Sequence, residues 1–189
     1  MKRIPKMLAP YFAVGVFWCV FSNAWLAILA YHLQIIFWLR RLPVLSLPNS
    51  RRMLFYAIPA VAAGPLLYLL LPLITRTSIT IWLADYNLSG LSLLFMIPYF
   101  GLVHPYLEQL HWTRLRNSTP LAHPLFAGYH MIVLYSLLTI SWLFVSFLLL
   151  NAVSYAWHQA TQRTGSSFVA VLSHTLADLS IIIAAALMA

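Results

Sequence analysis

Residues 121–160 are almost continuously apolar, and this run constrains the fold more than any other stretch. One bilayer crossing takes about 20 apolar residues, so the run is too long for one helix and right for two. A split near Leu138 gives spans over residues 121–137 and 139–160, although no strong breaker marks it. The same rule divides the rest of the chain. A first span covers residues 8–31, with an apolar extension to Trp38 that ends at Arg40-Arg41. Pro43, Pro48 and Asn49 mark a loop, and the second span is residues 53–74, bent by Pro59, Gly64 and Pro65. Residues 76–89 read as a short external segment in which Asp85 is solvated. The third span, 90–112, runs on to Arg114 and Arg116, and the polar loop Gln159–Ser167 precedes a sixth span at 168–188. The expected fold is all-α: a polytopic transmembrane bundle of about six spans, forming a single integral membrane domain over residues 1–189.

Composition supports this class. Apolar residues make up 62% and charged ones 7%, against about 25% charged in soluble domains. The net charge of +8 comes from Lys and Arg in short groups between apolar runs. Topology signals and lipid-headgroup contacts are placed that way, whereas a nucleic-acid surface needs a clustered basic patch, so no nucleic-acid partner is expected. Cys19 is the sole cysteine, which excludes an intrachain disulfide and a thiolate metal site. The basic start and Ser22-Asn-Ala24 have the look of a signal peptide, but the apolar run continues to Tyr31, which argues for a retained helix. With six spans and an outside N-terminus, inner loops would hold seven basic residues and outer segments four, which favours that orientation.

The chain has only three acidic residues, Asp85, Glu108 and Asp178. An acid within a span is costly and is a functional hypothesis by default. At about 1.5 Å per residue, Glu108 lies roughly 9 Å inside Arg114, and His130 roughly 15 Å past Pro120. His174 and Asp178 lie roughly 10 and 16 Å past Ser167, on one helical face. Both connections are on the same side, so two acids and two histidines from three helices reach one stratum. His104 and His111 flank Glu108 and suit packing or support of the acid. His32, His123 and His158, near span ends, suit helix–helix hydrogen bonds.

Three chemistries fit the cluster. Glu108-x-x-His111 is half of a di-iron motif, but the second Glu-x-x-His is missing. A mononuclear zinc site from His130, His174 and Glu108 has suitable ligand types. The third is metal-free: Glu108 as general base, with a histidine, activates water against a carbonyl. Ser136 and Ser173 lack the strand–turn–helix setting of a serine nucleophile.

The stretch His104-Pro-Tyr-Leu-Glu108-Gln109-Leu-His111-Trp112 resembles the first motif of the CAAX-protease and bacteriocin-processing (CPBP, or Abi) family, Glu-Glu-x-x-x-Arg. Phe126-Ala-Gly-Tyr-His130 is similar to the second, Phe-x-x-x-His, and Arg163-Thr-Gly-Ser-Ser through His174-Thr-Leu-Ala-Asp178 to the third, His-x-x-x-Asn or Asp. The order is right and the resemblance covers residues 90–188. It implies an intramembrane glutamate endopeptidase acting on a membrane-associated peptide or protein. Glu108 would be the catalytic acid and His130 would help it deprotonate water. His174, with Asp178 in place of the usual Asn, would stabilise the oxyanion. Gln109, His111, Arg114 and Phe126 would support them. Gln109 replaces the second Glu and Thr113 the Arg, with Arg114 one residue further on. No cofactor is implied, zinc being the weaker alternative, and a bacterial inner membrane is the expected location. The rival reading is a non-catalytic scaffold or immunity protein that kept the family's frame. A transporter is a third, weakened by the absence of inverted-repeat signs.

Overall fold

The computed structural model describes residues 3–39, 45–47 and 51–189, and the described residues are helical almost throughout. The helices are α1 (Arg3–Val14), α2 (Ala24–Leu39), α3 (Ala63–Ile74), α4 (Ile79–Asp85), α5 (Gly90–Pro98), α6 (His104–Arg116), α7 (Ala122–Leu134), α8 (Ile140–Thr164) and α9 (Phe168–Met188). A π-helical turn, Gly15–Val20, extends α1, and another, Tyr99–Val103, joins α5 to α6. Two short 3-10 turns lead into α3.

Among the described residues four helices are long and apolar enough to cross a membrane: Leu54–Ile74, Gly90–Arg116, Ile140–Thr164 and Phe168–Met188. This is an all-α membrane protein, but the expected count of six spans gives way to four. The second, third, fifth and sixth expected spans match these helices, and the break near Leu138 is a real turn. The fourth shrinks to the 13 residues of α7, roughly 20 Å of helix against a hydrocarbon core of about 30 Å.

The first expected span is not one helix. The chain reverses at residues 21–23, where Ser22 adopts a positive φ of 46°. Asn23 begins the next helix, its side-chain oxygen accepting from the Leu26 N–H at 3.0 Å as an N-cap does. The Asn87 amide donates to the Ser22 carbonyl at 2.9 Å and the Ala24 N–H donates to the Tyr86 carbonyl at 3.1 Å, which holds the turn to the 75–89 connection. The helices on either side pack as an antiparallel hairpin, with Lys6 of α1 lying 5.5 Å from the Trp38 ring of α2. Each is shorter than a full span.

The hairpin changes which residues share an end. One end carries the 21–23 turn, the 75–89 connection and the 135–139 turn. There Thr75 pairs with Leu138, and Trp82 and Tyr86 both bond Ser136. The other end carries the start of α1, the end of α2, the 117–121 turn and the α8–α9 loop, tied by Gln162 to Asn117 and by Ser166 to Ser46. Segments at this second end contain Arg3, Lys6, Arg51, Arg52, Arg114, Arg116 and Arg163, and the first end has only Arg76. The division of seven against four therefore becomes seven against one among the described residues, and the start of α1 moves to the basic side. Lys2, Arg40 and Arg41 lie outside the described residues.

Helix α9 is the hub and packs against α3, α5, α6 and α8. Gly64 makes the α3 contact: a Cβ there would fall 2.1 Å from the Ser180 carbonyl oxygen, and its N–H donates to Ser180 Oγ at 3.0 Å. Gly101 gives the helix carrying Glu108 a looser approach of the same kind, a Cβ there falling 3.1 Å from the Leu179 Cα. Small residues bring backbones together in this way where lipid gives no hydrophobic drive between helices. The outer faces are apolar, as on α8 with Phe144, Leu148 and Leu149 exposed.

Candidate functional site

Helices α2, α6, α7 and α9 each send polar side chains to one place, and Glu108 stands at its centre with 0% exposure. Its Oε1 accepts from Tyr31 Oη of α2 at 3.0 Å and from Tyr129 Oη of α7 in a short hydrogen bond. Trp112 Nε1 donates to Tyr31 Oη at 2.8 Å, which leaves the Tyr31 proton free for the carboxylate. Glu108 Oε2 lies 3.5 Å from His104 Nε2 and 3.5 Å from His174 Nε2. His174 Nε2 is also 3.2 Å from Asp178 Oδ2, one helical turn on. His174 and Asp178 are buried at 4% and 8% exposure. Both Glu108 Oε2 and Asp178 Oδ2 lack a well-formed hydrogen bond. Such buried acceptors are costly without donors.

Each of the two histidines is held from behind. Arg116 donates to Gln109 Oε1, so the Gln109 amide nitrogen faces His174 Nδ1, 3.1 Å away, and donates to it. The ring proton of His174 is therefore on Nε2, directed at the two carboxylates. On the other side Tyr99 Oη, His32 and His104 form a chain, with Tyr99 Oη 2.8 Å from His32 Nδ1 and His32 Nε2 3.0 Å from His104 Nδ1. A lone pair on His104 Nε2 would face the carboxylate's own lone pairs. The chain therefore runs from the tyrosine inward and puts a proton on His104 Nε2. Stacking fixes the ring planes: His174 lies 4.5 Å from Trp157, and His104 lies between His32 and Phe100.

The structure joins Glu108, His174 and Asp178, as the depth count expects. His130 is one step removed: its Nδ1 donates to the Phe126 carbonyl at 2.8 Å, and its Nε2 is 3.1 Å from Tyr129 Oη. The single Tyr129 proton is donated to Glu108, and the Tyr129 hydroxyl thus stands between His130 and Glu108. Phe126 is wholly buried beneath Trp112 and His130. Gln109 contacts the site through His174. Arg114 does not; it is exposed, and Arg116 takes the buried place beside Gln109, held also by Ser154 Oγ at 3.1 Å. His111 turns away and bonds the Lys6 carbonyl at 3.1 Å.

Tyr31, Tyr129, His32 and Arg116 are the members that sequence reasoning missed as site residues. His32 and Tyr31 escape because the hairpin that returns them to mid-bundle is legible only in the Ser22-Asn23 cap. Arg116 sits two turns from Gln109 in sequence, a spacing that places both on one helix face.

His104, His174 and Asp178 place ligand atoms within 4.8 Å of one another, a potential metal-binding group. The zinc set of His130, His174 and Glu108 does not assemble, since His130 faces Tyr129. For the assembled group, a metal would need the lone pair of His174 Nε2. Gln109 would then have to turn its amide over and give up Arg116. The donor arrangement suits O–H and N–H chemistry on two carboxylates better than a cation.

These features define a class, an all-α membrane protein with a buried carboxylate–imidazole cluster shared by four helices. Family models, curated proteins and solved structures were compared with the chain, and none matches.

Proposed function

We propose that the protein is an intramembrane peptide hydrolase of the glutamate type, similar in its machinery to CPBP proteases. The observation that supports it is the pair of buried oxygens, Glu108 Oε2 and Asp178 Oδ2, turned to one point beside His174 Nε2. A water molecule donating to both oxygens satisfies them and keeps a lone pair for a peptide carbonyl. Tyr31 and Tyr129 occupy Oε1, so Oε2 is the basic oxygen. Glu108 takes a proton as the water oxygen bonds the carbonyl carbon, and returns it to the amine as the C–N bond breaks. The Nε2–H groups of His104 and His174 are donors fixed in a dry site, where developing charge is best stabilised. His130 reaches Glu108 only through the Tyr129 hydroxyl, and helps to hold that hydroxyl in place.

By the positive-inside rule the basic end faces the cytoplasm, in a bacterial inner membrane on this reading. Glu108 then lies nearer that side, and a membrane-associated peptide or protein approaches from it. The test presents membrane-tethered peptides to purified protein in nanodiscs and follows cleavage by mass spectrometry. Cleavage by the native chain that vanishes in Glu108→Gln is the expected result; equal cleavage by that variant overturns the mechanism.

The complete burial of Glu108 favours a second reading, a non-catalytic scaffold in which the cluster holds four helices together. Under it, a comparison of protein termini in cells carrying the native chain and Glu108→Ala shows no difference.

A further inference from the structure

One turn beyond Glu108 along α6, a separate cavity of about 250 Å³ opens at the basic end. Its walls come from the start of α1, the end of α2 and the end of α6: Lys6, Trp38, His111, Arg114 and Leu115 among them. Two of these are cations. The chain's only acids are Glu108 and Asp178, consumed in the buried cluster, and Asp85, at the end of α4 on the opposite side of the bundle. Neither Lys6 nor Arg114 therefore has a carboxylate partner within the chain. The Lys6 ammonium lies over the Trp38 ring at 5.5 Å, and the His111 ring is fixed by the Lys6 carbonyl, so the walls are held in place. Trp38 and Leu115 supply an apolar side to the same cavity.

Two unpaired cations beside an apolar wall, at the level where lipid-facing helices leave the hydrocarbon, suit a phosphate ester more than a free ion. We propose that this cavity binds the phosphate headgroup of an anionic phospholipid. The phosphate lies between Lys6 and Arg114, and the glycerol and upper acyl carbons rest on Trp38 and Leu115. A Trp at the headgroup level and basic residues at the cytoplasmic surface are the usual anchors of such contacts. This site is independent of the proposed hydrolysis, which a failure here leaves untouched.

The experiment measures thermal unfolding of the full chain in a neutral detergent with added short-chain phosphatidylglycerol. Parallel arms use phosphatidylcholine of the same chain length, inorganic phosphate at equal concentration, and raised salt. Phosphatidylglycerol raises the native Tm in a saturable way, phosphatidylcholine and inorganic phosphate do so far less, and salt weakens the effect. In Lys6→Gln/Arg114→Gln, affinity for phosphatidylglycerol falls about 30-fold, or about 2 kcal/mol at ~1 kcal/mol per basic residue. The charge-keeping Lys6→Arg/Arg114→Lys variant retains the shift, as does Arg76→Gln at the far end. An equal shift in the doubly neutral variant, or none in the native chain, overturns the site. Inorganic phosphate matching phosphatidylglycerol overturns the lipid as its occupant.

Discussion

Helix α6 carries two charged places just under two turns apart, and they solve the problem of charge in a membrane protein in opposite ways. Around Glu108 every partner comes from within the chain: two tyrosines, two histidines and, behind them, His32, Gln109 and Arg116. Around Arg114 no internal counter-charge exists, and the side chain stays exposed near Lys6. The inner place is over-determined, so removing one member strands others. The outer place is open and tolerant, and its partner must come from outside the protein. Depth decides which solution is used, since Arg114 is exposed to bulk solvent and headgroups whereas Glu108 is fully buried.

Substitutions can break or sharpen this contrast. The largest expected effect is on chemistry: Glu108→Gln lowers peptide cleavage about a thousandfold, within the range for loss of a general base. A nanodisc cleavage assay reads this directly. Next comes Arg116→Met, which releases Gln109 and lets the His174 tautomer drift; loss of a buried partner costs about 3 kcal/mol. Unfolding in a mixed detergent series measures that loss, and ¹⁵N chemical shifts of His174 should show a mixture of tautomers. His32→Leu removes two hydrogen bonds and leaves the His104 Nδ1 and the Tyr99 hydroxyl without that partner, a cost of about 2 kcal/mol in the same unfolding series. The smallest effect belongs to Arg114→Gln, within about 0.5 kcal/mol of the native stability in the absence of added lipid. If Arg114→Gln proved as damaging as Arg116→Met, the contrast between the two places would fail.

Much of the inner place was legible in the sequence, and the reason is geometric. Helical rise converts residue number into depth, so Glu108, His174 and Asp178 could be set at one level before any contact was known. The helix-turn spacing of His174 and Asp178 put them on one face, and they meet at 3.2 Å. What depth does not encode is azimuth and reversal. His130 has the right depth, yet its ring points to Tyr129, so the tyrosine rather than the histidine touches Glu108. The first apolar run has the length and hydropathy of a span, and hydropathy cannot distinguish a straight helix from one that folds back. Only Ser22-Asn23, two good capping residues inside that run, carries the signal of reversal. Because the reversal moves α1 to the other end, reading the run as a single span also put Arg3 and Lys6 on the wrong side and understated the charge asymmetry. The exchange of Arg114 for Arg116 has the same origin: proximity in the motif favoured the former, and the helix face selects the latter.

The close contact of Gly64 and Gly101 with α9 bears on the order of assembly. Glu108 enters the membrane on a helix made well before the one that carries His174 and Asp178. Until α9 arrives and its backbone settles against those two glycines, the acid has its tyrosines and His104 but not the His174–Asp178 pair. The cluster is thus completed by the docking of a late helix. A side chain at Gly64 would hold α9 off and leave the nascent protein inserted yet unfinished. In the cell such a chain would be a target for membrane quality control, however intact its own Glu108.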